Sequence, residues 1–140
     1  MINLSLSGPP DSILEMLIEA ALQKGIVVVA ATRNEDALAT SSFPASIPGV
    51  IAVTDSGHER SRNSDQPVFA PSENIFTTLP RDQYNFVSGT SLGAAQVAGY
   101  IALLLQENPH LSTPLIRDRL IEINNREAAG RPAPPMPLSN

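Results

Sequence analysis

The run Ile26-Val27-Val28-Val29-Ala30-Ala31 constrains this chain more than any other segment. It is apolar throughout, its first four residues are β-branched or rich in β-branching, and no polar residue alternates with them. A strand of this kind offers neither face to water, so it sits inside a parallel sheet with helices on both sides. The flanking segments agree. Ile2-Asn3-Leu4-Ser5-Leu6 alternates apolar and polar and stops at Ser7-Gly8-Pro9-Pro10, which predicts a strand and a turn. Asp11 or Ser12 then caps a helix with Ile13, Leu14, Leu17, Ile18, Ala21 and Leu22 on one face and Gly25 as its stop. After a polar loop containing Asn34, Val50-Ile51-Ala52-Val53 reads as another short buried strand. The order β-α-β-loop-β specifies an α/β fold with a parallel sheet.

Further along, Val68 to Val87 holds short β pieces broken by Pro71 and Pro80, which predicts a hairpin-like excursion. A helix follows from about Thr90 to Gln106. Its Leu92, Ala95, Val97, Ala98, Ile101, Ala102, Leu104 and Leu105 leave almost no polar face, as expected of a helix in the middle of a protein. Thr113 is the expected N-cap of a last helix, with Pro114 in the first turn. Four prolines among the last nine residues divide the chain into a folded unit over 1–124 and a Pro-rich tail or linker over 125–140.

Composition narrows the function classes. The 140 residues are 42% hydrophobic and 16% charged, enough to fill the interior of one globular domain. A net charge of -5, with no Lys/Arg cluster interleaved with aromatics, gives no electrostatic footprint for nucleic acid or an anionic membrane. Without cysteine there is no disulfide framework, thiolate metal site or cysteine nucleophile. The apolar stretches are too short to span a bilayer, and no export signal is visible at the N-terminus, so the sequence assigns no compartment.

Gly89-Thr90-Ser91-Leu92-Gly93 fits the G-x-S-x-G nucleophile elbow, with a strand-like run before it and a helix after it. A small α/β-hydrolase acting on esters is one reading. It needs an acid and a histidine downstream, where 49 residues remain and His110 is the one histidine, about a helix length away. The plain structural reading makes Ser91 a helix cap and Asn34 a turn residue.

A second reading uses more of the chain. The segments "INLSLSG", "GIVVVAATRNED", "FPASIPGVIAV", "VFAPSENIFTTLP", "VSGTSLGAAQVAGYIALLLQENPHLS" and "IRDRL" occur in the order and approximate spacing of the subtilisin-like serine peptidases, the subtilases of peptidase family S8. The resemblance runs from residue 2 to about residue 123. It implies the C-terminal half of a three-layer subtilisin-like catalytic domain, with the N-terminal strands absent, and a serine endopeptidase acting on polypeptides. By this resemblance Ser91 is the nucleophile, the Asn34 side-chain amide is an oxyanion donor, and Ser5, Leu6 and Ser7 pair with an extended substrate backbone. No cofactor is evident; calcium is allowed by the resemblance alone, and no clustered carboxylate loop occurs in the sequence.

The sequence also departs from the family pattern. A subtilase triad runs Asp, His, Ser, and neither an early Asp-Ser/Thr-Gly strand nor a His-Gly-Thr-His helix start is present, so the catalytic site is incomplete here. Asp55-Ser56-Gly57-His58 offers the right residue types but follows the "VIAV" strand, where a solvated turn is expected. Arg33 and Ser7 stand where the family usually has Gly, and Ala95-Gln96 where it has Pro-His. A sheet cut in this way exposes an edge strand and an apolar face, so the chain is expected to self-associate, aggregate or dock with an N-terminal subtilase half. A non-catalytic remnant of the fold, holding peptides at Ser5 to Ser7, is the remaining alternative.

Overall fold

The computed structural model describes residues 1–33, 42–55 and 67–128. Four short strands, β1 (Ile2–Leu4), β2 (Val28–Ala31), β3 (Ile51–Asp55) and β4 (Val68–Ala70), pair in that order into one parallel sheet. β5 (Ile75–Leu79) and β6 (Gln83–Val87) form a separate antiparallel hairpin. The helices are α1 (Ser12–Gln23), α2 (Thr90–Glu107) and α3 (Thr113–Ala128).

The apolar run at β2 behaves as its sequence demands. Every residue of the strand is buried, and successive side chains enter opposite cores. Val29 and Ala31 join Ile51, Val53 and Val68 under α2 and α3, where Val97, Ile101, Ile116 and Leu120 close the layer. Val28 and Ala30 face the other way, against Ile18 of α1 and Phe43, Ile47 and Val50 of the segment before β3. Full burial of each valine contributes about 1.5–3 kcal/mol.

α1 starts as expected: the Asp11 carboxylate accepts from the Ile13 and Leu14 amides, both at 2.9 Å. Its buried face is narrower than the sequence suggests. Ile18 is buried, whereas Ile13 and Leu17 point to solvent at 66% and 57% exposure, with Met16 beside them. α2 also has an outer face in solvent, including Ala95, Gly99, Ala102 and Leu103, so it covers the sheet without being enclosed.

Two boundaries differ from the sequence reading. Val68–Ala70 is the fourth strand of the parallel sheet, in register with Val53–Asp55, rather than part of the hairpin excursion; three residues are too few to show a strand period. At α3, the Ser112 carbonyl accepts from the Ile116 amide at 3.0 Å, which puts Ser112 at the cap and Thr113 inside the helix. The helix then continues through Ala128.

Asn124 explains how α3 holds the β4 edge. The Phe69 amide donates to its Oδ1 at 2.9 Å, and its Nδ2 donates to the Phe69 carbonyl at 2.6 Å. One amide side chain thus imitates the next strand and satisfies both backbone groups of a buried residue. Asn124→Ala strips them of these partners, and chemical denaturation should register a loss of about 2–3 kcal/mol.

Gly93 sets the approach of α2 to β4. A Cβ there would lie 2.6 Å from Ser72 Oγ and 3.2 Å from Ala70 Cβ. Gly93→Ala should therefore destabilise by about 1–3 kcal/mol through overpacking. Adding Ser72→Ala removes the closer atom, so a double-mutant cycle should return a favourable coupling of about 1 kcal/mol.

Candidate active site

The site is assembled at the C-terminal ends of the sheet strands, where β1 and β2 meet the start of α2. Three consecutive residues fasten that helix start to three different places. The Gly89 amide donates to the Ser72 carbonyl just beyond β4, at 2.7 Å. The buried Thr90 hydroxyl donates to the Thr32 carbonyl just beyond β2, at 2.6 Å. Ser91 is tied to Ser5, just beyond β1, by two bonds: its Oγ donates to the Ser5 carbonyl, and Ser5 Oγ donates to the Ser91 carbonyl, each at 3.1 Å. Asn3 Nδ2 donates in turn to Ser5 Oγ at 3.1 Å.

Gly89 stands at φ 156°, ψ 143°, a backbone region close to glycine's own, and it turns the chain from β6 into α2. α2 carries no acidic residue in its first turn. Its leading amides and positive end therefore favour an anion. Ser91 is exposed, as are Ser5, Leu6 and Ser7 beside it. A hydroxyl at the head of a helix, next to an open strand edge, is placed to attack a carbonyl presented along that edge. The Ser5 carbonyl only accepts a hydrogen bond and is no base, so these contacts position Ser91 without activating it.

Of the residues nominated from sequence, the structure brings Ser91 and Ser5 into contact and keeps Leu6 and Ser7 on the adjoining exposed segment. Asn34 lies outside the described residues, one position past Arg33, whose amide donates to the buried Ser42 hydroxyl at 2.9 Å. Ser56, Gly57 and His58 also lie outside them, whereas Asp55 ends β3. His110 is in the turn after α2, at the far end of an 18-residue helix. About 24 Å of helix separates Ser91 from the end that precedes His110, too far for it to take the serine proton. Gln96 is not at the site: its Nε2 donates to the Pro71 carbonyl at 3.0 Å and braces the turn after β4. Among the described residues no group of three His, Cys, Asp or Glu side chains is placed to hold a metal ion.

Sequence reasoning missed Asn3, Ser72 and Thr90 as supports. Thr90 lies inside the Ser-Gly-Thr-Ser motif and could have been noticed there, but the partners of Asn3 and Ser72 depend on contacts between distant segments. Thr32 is 2% exposed, its carbonyl holds Thr90, and its own Oγ1 has no hydrogen-bond partner among the described residues.

Comparison with known proteins places this geometry. The subtilase family model (peptidase S8) matches residues 1–133. Subtilisin amylosacchariticus of Bacillus subtilis subsp. amylosacchariticus is 39% identical over 130 residues, covering 86% of this chain and 34% of that protein. Subtilisin of Bacillus pumilus is 38% identical, covering 86% of this chain and 47% of that protein. Among solved structures, a cold adapted subtilisin-like serine proteinase superposes with a TM-score of 0.71 at 30% identity, over 89% of this chain and 47% of that one. The self-cleaved protease domain of PatA gives the same TM-score at 27% identity, over 95% of this chain and 58% of that one. The chain thus spans about a third to a half of the curated relatives it matches. With a parallel sheet, helices on both faces and a serine at the head of α2, it belongs to the subtilase family of serine peptidases.

Proposed function

We propose that this chain supplies the nucleophile-bearing part of a subtilase endopeptidase. Ser91 attacks the scissile carbonyl, Asn34 and the Ser91 amide hold the resulting oxyanion, and Ser5 to Ser7 pair with the main chain of a polypeptide substrate. The observation that carries this reading is the double hydrogen bond between Ser5 and Ser91, which joins the serine to the strand edge.

The general base and its orienting acid are the missing parts. Among the described residues neither His110 nor a group around Ser91 is in a position to serve, and the sequence has no Asp-Ser/Thr-Gly strand or His-Gly-Thr-His helix start; on this reading activity requires an Asp and a His from another chain or an N-terminal segment. The uncovered surfaces support a docking half: β1 is an outer strand of the sheet, and Ile13, Met16 and Leu17 of α1 and Leu103 of α2 are exposed apolar side chains.

A fluorophosphonate probe tests this directly. Ser91 should be labelled when the chain is mixed with a subtilase N-terminal half carrying the Asp and His segments. It should stay unlabelled in the chain alone and in Ser91→Ala. Absence of labelling in both samples would favour a non-catalytic, peptide-holding role, and labelling of the lone chain that disappears in His110→Ala would favour an esterase. In a labelled mixture, Asn34→Ala should slow peptide hydrolysis by ~10²–10³-fold, as removal of one oxyanion donor does.

A further inference from the structure

Among the described residues, all the exposed aromatic rings lie on the β5–β6 hairpin. Its register pairs Phe76 with Phe86 and Thr78 with Tyr84, so these four side chains share one face. The Phe76 ring centroid lies 5.8 Å from that of Tyr84, stacked at 18°, and 5.3 Å from that of Phe86, tilted at 55°. Ring contacts of this kind support the hairpin, yet Phe76 remains 61% exposed and Tyr84 and Phe86 63%. The chain has four Phe and two Tyr, and the other three, Phe43, Phe69 and Tyr100, are buried or half-buried. Half of the aromatic residues thus face outward from a hairpin that packs chiefly on itself.

That face carries no charge, and its polar atoms are the Thr78 and Tyr84 hydroxyls, both able to donate. Flat rings with hydroxyl donors beside them complement a polyproline II segment. Prolyl rings lie against aromatic ones, and the backbone makes no internal hydrogen bonds, so its carbonyls stay open to donors. The apolar stripe of Ile13, Met16 and Leu17 on α1 has no ring to offer. This chain contains a segment of the matching kind. Residues 129–140 lie outside the described residues, and within them Pro132, Pro134, Pro135 and Pro137 make two overlapping P-x-x-P patterns.

The hairpin is within reach of that segment. α3 starts beside the beginnings of β2 and β3, where Thr113 shares a cavity with Gly25 and Gly49, and runs to the β4 edge, where Asn124 holds Phe69. Ala128, its last residue, is about 6 Å of helix past Asn124. From Phe69 to Ile75, the first residue of β5, is at most about 20 Å of extended chain. Residues 129–140 cover ~37 Å as polyproline II. Tethering also raises their concentration at the hairpin to the ~mM range, so a contact of only ~mM affinity is well populated. We infer that the segment from Pro132 to Pro137 of this chain lies on the face formed by Phe76, Tyr84 and Phe86, with prolyl rings on aromatic rings and carbonyls at the Tyr84 and Thr78 hydroxyls. The contact requires no catalytic role for Ser91.

The chain has no cysteine, so Ser139→Cys provides a single position for a nitroxide spin label. When the spin-labelled, isotope-labelled chain is diluted into unlabelled chain, the amide NMR signals of Phe76, Thr78, Tyr84 and Phe86 should lose intensity, and those around Met16 on α1 should keep theirs. Pro134→Ser, Pro135→Ser and Pro137→Ser together should restore the hairpin signals, as should Phe76→Ser with Phe86→Ser while circular dichroism stays unchanged. A second sample, spin-labelled chain mixed with separately isotope-labelled chain, detects contact between copies. Four results would overturn the inference: no loss at the hairpin, loss confined to the mixed sample, loss centred on the α1 stripe, or loss that survives replacement of the prolines. Should the phenylalanine variant fail to fold, the proline variant, altered outside the folded unit, decides it.

Discussion

The complete burial of β2 governs the rest of the molecule. A strand with no wet face obliges the chain to supply cover on both sides, and its alternating side chains divide the interior into two cores. One core draws α2 and α3 onto the sheet; the other draws α1 and the segment from Phe43 to Val50. With parallel strands, all the strand ends of one kind lie along one border. Ser5, Thr32 and the turn after Ala70 therefore come together although they are far apart in sequence, and the head of α2 is fastened to all three.

Those three fastenings differ in character. The Gly89 amide and the Thr90 hydroxyl are bound to backbone carbonyls at short range, one of them buried, and fix the helix head against the sheet. The Ser5 and Ser91 pair is exposed and longer. Water competes for each of these exposed bonds, so either one alone is weak, and it is the pair that ties the serine to the strand edge.

Much of this was legible in the sequence. The β2 run shows no alternation, the Asp11 cap precedes a periodic helix, and the Ser-Gly-Thr-Ser motif precedes a long apolar one; each is a local signal with a physical cause. Non-local properties were not legible. Val68–Ala70 joins the sheet because Val53 and Asn124 flank it, and neither neighbour can be read from three residues. The exposure of Ile13 and Leu17 follows from what packs on α1, while the helical period only says that they share a side. At the site, the motif singled out Ser91 and the resemblance nominated Ser5, but the hydrogen bonds between them and the support from Asn3 became visible only through the fold.

Crossed bonding between Ser5 and Ser91 makes one mechanical part of two that could have been separate. Each residue gives its hydroxyl to the other's carbonyl, so the strand edge and the head of α2 move as a unit. If the edge drifts, the serine drifts with it, and the offset between the two stays nearly constant. On the proposed reading, in which a target is aligned on one element and struck from the other, such shared drift cancels in the difference. Alignment then survives motion that would defeat two independently held parts.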